Sequence, residues 1–222
     1  RRSGRALIAE IATGLGLTWL SGLRLGPEER LAVAAPLGAL VLGLWGWVLG
    51  WLFGFHLTSL SLALLAAVGT SLPGWRRAGG APGLRAEAAD LWRRVRLPVR
   101  DPASLVPLVV LLAVAWPITV RILSLAWVTT ADGGLAAGHL STWSDGSAHL
   151  AYAGRFSGGG VVPIDSPIAA GEPARYHLLA DFFAAQVGLL GVALPSALAI
   201  TSGFLALAVP AVLYGCGVRL VG

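Results

Sequence analysis

The chain has 222 residues, of which 56% are hydrophobic and only 12% carry a charged side chain. Soluble domains contain about 25% charged residues, so this composition excludes an ordinary soluble enzyme and predicts a polytopic membrane protein. The net charge is +5, all sixteen basic residues are Arg, and the single Cys216 excludes an internal disulfide.

The residue usage also indicates a source and a context. Exclusive use of Arg over Lys is typical of a GC-rich bacterial gene, so we expect the plasma (inner) membrane of a bacterium. The sequence contains no Met and stops directly after an apolar run. We therefore expect that neither end is native and that the chain is a fragment of a longer protein, such as its N-terminal part.

Apolar stretches set the candidate membrane helices, because a helix needs about 20 apolar residues to cross the hydrocarbon core. The candidate stretches are residues 6–22, 31–72, 105–128 and 196–218. The second stretch would form a helix of about 63 Å at 1.5 Å per residue. It therefore predicts two crossings, with a turn near residues 50–56.

The segment of residues 75–101 predicts the orientation, because it holds seven Arg against three acidic residues. The positive-inside rule places this segment in the cytoplasm, against anionic headgroups and not against nucleic acid. One crossing later, residues 130–177 would be extracytoplasmic. Three parts follow: about three transmembrane helices in residues 1–74, a cytoplasmic loop at 75–103, and residues 104–222 with an external loop at 130–195 and a return helix.

The stretch of residues 178–192 is short and contains Asp181, so it favours a helix lying along the outer surface over a fifth crossing. Its polar face would present His177, Asp181, Ala184 and Gly188, with Phe182 among the residues available for lipid. The predicted fold class is therefore all-α: a transmembrane helix bundle with an external loop that contains short interfacial helices.

The external loop holds most of the titratable groups. Asp145 and His149 are four residues apart, so on a helix they share a face with Tyr152. His177 and Asp181 repeat this spacing in reverse order. These four acidic and imidazole groups are candidate ligands for a divalent metal such as Mg or Mn, or candidates for a general base with its orienting partner. The alternative is two hydrogen-bonded pairs on solvated helices.

A run of Gly and Pro between these pairs, over residues 157–173, predicts a segment without regular structure. The whole pattern then resembles a known family. It comprises Asp145-x3-His149-Leu-Ala, Pro167, Gly171-Glu-Pro and Tyr176-His177-Leu-Leu-x-Asp181. This is similar to the first external loop of bacterial GT-C type membrane glycosyltransferases, which use polyprenyl-phosphate sugars.

The resemblance implies that Asp145 is the catalytic acidic residue, and we add His149 as its partner. A lipid-phosphate donor needs cations, and Arg155, Arg175 and Arg121 are available; snorkelling of Arg121 to the interface is the alternative for that residue. The remaining candidate substrate-binding residues of the loop are Tyr152, Glu172, Tyr176, His177 and Asp181.

Two functions remain open at this stage. The first is transfer of a sugar from a polyprenyl-phosphate donor to an extracytoplasmic acceptor, with membrane lipids as further partners. The second is a polytopic transporter or lipid-handling membrane protein without covalent chemistry. Transporters often contain internal repeats and place charges near the bilayer midplane. This sequence shows no repeat, which favours the transferase.

Overall fold

A computed structural model describes residues 2–101, 103–139, 142–160, 162–169, 171–175 and 178–221. Over these residues the chain forms eight α-helices and one two-stranded hairpin, so the expectation of a mostly helical protein is confirmed. The helices are α1 (Arg2–Leu20), α2 (Pro27–Phe53), α3 (Leu57–Arg77), α4 (Gly80–Val95), α5 (Val106–Ser124), α6 (Ser147–Gly159), α7 (Leu179–Leu189) and α8 (Leu194–Val221). The antiparallel hairpin pairs β1 (Trp127–Thr129) with β2 (Leu135–Ala137).

Four of these helices are long and apolar enough to cross a membrane: α2, α3, α5 and α8. They coincide with three of the four stretches that the sequence predicts. The apolar part of α1, Ile8–Leu20, is shorter than a bilayer-spanning helix. A membrane crossing by α1 therefore stays a prediction.

The long apolar run breaks where the sequence predicts a turn. Gly54 has a φ of 85°, a left-handed conformation that ends α2. The Ser59 hydroxyl then donates to the Gly54 carbonyl over 2.7 Å, and the backbone N–H of His56 donates to that hydroxyl over 3.1 Å. These bonds satisfy backbone groups at the start of α3, so two separate helices form.

The chain divides into two compact units. One contains Leu42–Ala66 and Val120–Gly203, and the other contains Ile8–Val41, Ala67–Thr119 and the part of α8 from Phe204 onward. The core of the first unit is aromatic. Phe182 of α7 lies with its ring centroid 5.0 Å from Phe156 of α6, 5.1 Å from Phe55 and 5.4 Å from Trp47 of α2.

Close approach of α7 to α2 depends on glycines. A Cβ atom added at Gly43 would lie 2.8 Å from Leu179 Cδ1, and one at Gly46 would overlap the Gln186 amide. With α6 on its other side, α7 is buried from Asp181 to Val187. The predicted exposure of this helix is therefore wrong: Phe182 is not available to lipid, and Ala184 is not on a solvent-facing side.

Three further local predictions need correction. Helix α6 continues through Ser157 and Gly158 to Gly159, so the glycine run begins inside a helix, and Gly160 ends it with a φ of 61°. The Arg-rich segment contains the regular helix α4. The predicted membrane stretch of residues 105–128 extends too far: α5 ends at Ser124, and residues 127 and 128 belong to β1, because the chain turns back on itself at Gly133.

The second unit is held by ion pairs that join distant parts of the chain. Glu28 pairs with Arg94, Glu29 pairs with Arg219, and Arg30 lies 3.0 Å from Glu87. The first turn of α2 supplies one partner of each pair, while α4 and α8 supply the others. These contacts fix α4 and the end of α8 against the start of α2.

Candidate active site

The candidate site lies in the first unit, where a π-helical segment, Thr142–Gly146, leads directly into α6. Short π-helical segments are uncommon and occur frequently at functional sites. Asp145 lies on this segment and His149 lies one turn later on α6. The two share a face as the four-residue spacing predicts, with His149 Nε2 3.5 Å from Asp145 Oδ2.

His149 also contacts an acidic residue that is distant in sequence. Its Nδ1 atom lies 2.8 Å from Asp181 Oδ1 on α7, across 32 positions of sequence. The imidazole ring is therefore placed between two carboxylates, one at each ring nitrogen. Sequence spacing predicts two separate carboxylate and imidazole pairs. The structure brings Asp145, His149 and Asp181 together, while His177 lies outside the described residues.

Packing of α6 against α7 explains this arrangement. His149, Tyr152, Ala153 and Phe156 lie on one face of α6, at spacings of three, four and seven residues. This face packs on α7, where Phe156 meets Phe182 edge to face. Asp181 precedes Phe182 directly, so the same contact that buries the two rings brings the carboxylate to the imidazole.

Solvent exposure falls steeply across the three side chains. The exposed fraction is 68% for Asp145, 31% for His149 and 1% for Asp181. The second carboxylate oxygen of Asp181, Oδ2, is buried and has no hydrogen-bond partner among the described residues. The site is therefore a connected line of polar groups from the surface to the interior.

Burial controls the ionisation of Asp181. Loss of solvent raises the pKa of its carboxyl above the ordinary value of 3.8, and the negative charge of Asp145 adds to that rise. The contact with His149 acts in the opposite direction but is the smaller effect. Asp181 therefore holds a proton more readily than an exposed Asp does.

The other predicted site residues are divided between the core and the surface. Tyr152 is buried in the aromatic core with Phe55 and Phe156. Arg155 is exposed, with its Nη2 atom 3.9 Å from Asp165 Oδ2, a partner that the sequence did not suggest. The side chains of Arg121, Glu172 and Arg175 are also exposed.

Two of the predicted residues, Tyr176 and His177, lie outside the described residues. Their roles, and the pairing of His177 with Asp181, therefore stay predictions. The segment before them is held by backbone bonds: the Ser166 N–H donates to the Glu172 carbonyl, and the Ala174 N–H donates to the Ile164 carbonyl. These bonds fix the stretch that carries Arg175.

The geometry supports two kinds of chemistry. A buried carboxylate at Nδ1 fixes the orientation of an imidazole, so that Nε2 can exchange protons with a substrate or with Asp145. The same contact orients histidines that bind metals. Mg²⁺ prefers octahedral ligands at about 2.0–2.1 Å, which places neighbouring ligand atoms about 3.0 Å apart. The 3.5 Å between His149 Nε2 and Asp145 Oδ2 is wider than this, so the two side chains would have to move closer to share one ion. Within the described residues, no group of three or more His, Cys, Asp and Glu side chains is arranged to hold a metal.

Comparisons of the chain with protein-family models, with curated proteins and with solved structures found no match. A function can therefore be proposed only from the geometry of the site and from the motif around Asp145 and His149.

Proposed function

We propose that this chain is a membrane-integral glycosyltransferase, or its N-terminal fragment, that moves a sugar from a polyprenyl-phosphate donor to a hydroxyl group of an extracytoplasmic acceptor. The observation that carries this proposal is the contact of His149 with both Asp145 and Asp181. An exposed carboxylate connected to an imidazole and a buried acid is suited to accepting a proton from a substrate.

The proposed reaction begins at the exposed end of the site. Asp145 accepts the proton of the acceptor hydroxyl as the hydroxyl oxygen attacks the anomeric carbon of the donor sugar. The bond between that carbon and the phosphate oxygen breaks, and the electron pair leaves with the polyprenyl phosphate. The anomeric configuration is inverted. His149 donates a hydrogen bond to Asp145 or takes up its proton.

The leaving group is an anion, so the site also needs positive charge. Arg155 and Arg175 are exposed residues of the same loop. Guanidinium groups bind phosphate oxygens in a bidentate manner and stay charged at all physiological pH values. Arg155 has Asp165 as its neighbour at 3.9 Å, a separation at which a phosphate can compete for the guanidinium. Arg121, on the last turn of α5, is the third candidate.

The helices suit a lipid-linked donor. Four candidate spans can hold the chain in a bilayer, where the polyprenyl tail is soluble. We propose the inner membrane of a bacterium, with residues 130–177 extracytoplasmic and residues 75–101 cytoplasmic. Residues 75–101 and 130–177 precede and follow the candidate span α5.

In the alternative form of the proposal, a metal replaces proton acceptance by Asp145: a divalent ion such as Mg or Mn would be held by Asp145 and His149, with Asp181 orienting the imidazole. Bound there, it would supply a positive charge that stabilises the phosphate leaving group. The described residues provide two such ligands, and Asp181 is too deeply buried to be a third without a change of conformation.

Replacing Asp145 tests the proposal. Asp145→Asn in the complete protein keeps the size of the side chain and removes its capacity to accept a proton. Sugar transfer from a polyprenyl-phosphate donor should fall by about 10² to 10⁴, with normal expression and membrane insertion. Asp132→Asn is the matched control, because Asp132 is an exposed acid at the turn of the β1–β2 hairpin. Its carboxylate accepts hydrogen bonds from the neighbouring Thr130 hydroxyl and Gly134 N–H within the described residues.

Near-normal transfer by Asp145→Asn would contradict the assignment. The transporter would be supported instead if the complete protein and its Asp145→Asn variant moved a labelled substrate across a membrane equally well.

A further inference from the structure

Helix α4 has an asymmetric distribution of charge that the proposed reaction does not use. It is amphipathic and has no buried residues. It begins three positions after the end of α3 and precedes α5, and both neighbours are candidate membrane spans. A helix this close to the end of a span lies at the membrane surface when that span crosses the bilayer.

The acidic residues of α4 are used within the protein. Glu87 lies 3.0 Å from Arg30 of α2 and accepts a bond from the Trp19 indole at 3.3 Å. Asp90 pairs with Arg93 on the same helix. Within the described part of the chain, Arg94 is the one Arg of α4 that pairs with a carboxylate outside the helix, Glu28.

The exposed side of α4 is therefore cationic. Arg85, Trp92 and Arg96 follow one another at spacings of seven and four residues, which places them on one face. Neither Arg85 nor Arg96 has an acidic partner among the described residues. Trp92 is 60% exposed, and the Arg96 guanidinium lies 4.4 Å from the centre of its ring. Exposed Arg76, Arg77 and Arg100 extend the charge on either side of the helix.

We infer that this surface, defined by Arg85, Trp92 and Arg96, binds the headgroups of anionic phospholipids. Arg binds phosphate, and Trp prefers the boundary between headgroups and acyl chains. Basic helices with exposed aromatic residues lie in this boundary, attracted to anionic lipid. Nucleic acid would also attract the Arg side chains. Because α4 lies between two candidate spans in the sequence, however, lipid headgroups are the anionic groups nearest to this surface.

A fluorescent label on α4 tests this inference. A single cysteine is placed at exposed Ala89 in a Cys216→Ala background and carries an environment-sensitive dye. The full chain is inserted into lipid nanodiscs of phosphatidylcholine alone or of phosphatidylcholine with phosphatidylglycerol. We expect a blue-shifted emission and quenching by brominated lipid only when phosphatidylglycerol is present.

The Arg side chains should control this response. Replacing Arg85→Gln and Arg96→Gln together should lower the equilibrium constant for immersion of the label by about fivefold for each Arg removed. High salt should act in the same direction. Arg24→Gln, compared with Arg85→Gln alone, is the matched control: Arg24 is exposed and lies outside both α4 and the candidate active site, so its replacement should leave the label unchanged.

Equal emission in the two kinds of nanodisc would overturn the inference, as would an equal loss in the control variant. If the emission of the label does not change with phosphatidylglycerol but changes when single-stranded RNA is added, the surface recognises nucleic acid instead.

Discussion

The chain contains two polar clusters with different charge balance. At the start of α2, Glu28, Glu29 and Arg30 each face one group of opposite charge, in Arg94, Arg219 and Glu87. In the α6 and α7 cluster, two carboxylates face a single imidazole, and one of the carboxylates is buried with an oxygen that has no partner among the described residues. Among the described residues, the first cluster is balanced, with as many basic as acidic groups, and the second is not, with two carboxylates for one imidazole.

This difference separates structural from chemical roles. Paired opposite charges between distant elements hold those elements together. Two carboxylates that share one imidazole leave the position of a proton open, which is the condition for acid and base chemistry. The unbalanced cluster is therefore the candidate reactive centre, and the balanced one is architecture.

An effect as large as that of Asp145→Asn should come from Asp181, although it is the residue of the site farthest from solvent. Asp181→Asn keeps the shape of the side chain but lets its amide donate to His149 Nδ1, which favours the wrong tautomer of the ring. We expect the kcat of sugar transfer to fall by about 10² to 10⁴ with little change in KM. Steady-state kinetics and ¹⁵N NMR of the His149 ring measure the two effects.

Gln186→Met is the control for that experiment. Gln186 is a buried polar residue on the same helix whose amide has no hydrogen-bond partner among the described residues. Its replacement should leave kcat and the His149 tautomer unchanged. Equal losses in the two variants would show that α7 is sensitive to any change in its buried polar groups, and the special role of Asp181 would be wrong.

A smaller effect, on stability alone, should come from the balanced cluster. The side chains of Glu28 and Arg94 are 14% and 17% exposed, and this pair joins α2 to α4. A double-mutant cycle with Glu28→Gln and Arg94→Gln should give a coupling of about 1.5 to 3 kcal/mol in the free energy of unfolding. The exposed Asp90 and Arg93 pair should give about 0.2 to 0.5 kcal/mol. Similar couplings for both pairs, or a loss of transfer activity in a stable Glu28→Gln variant, would contradict the structural role.

The sequence predicts much of the helical layout because the apolar runs are long. The break between α2 and α3 is predicted from the length of residues 31–72, which is about twice that of a single membrane span. Helix α4 and the β1–β2 hairpin were missed for a different reason. Each strand has only three residues, too few for an alternation of polar and apolar residues to be visible. The charge of the Arg-rich segment predicts its location but not its secondary structure.

The site was predicted only in part. Four-residue spacing predicts the contact of Asp145 with His149, because both lie on one continuous helical stretch. It cannot predict the contact of His149 with Asp181, which depends on how α6 packs against α7. One signal was present in the sequence: Asp181 is an acidic residue inside an otherwise apolar stretch. Such residues are usually paired within the protein, and the four-residue spacing predicts His177 as the partner.

The most direct test of the central claim is whether Asp145 and His149 act as one unit. Sugar transfer by the complete protein would be measured for Asp145→Asn, for His149→Gln and for the double variant. Residues that act together in one step give losses far from additive in free energy. We predict that the double variant loses no more activity than the more damaging single variant. Losses that multiply would contradict the account, because they would show two residues contributing independently.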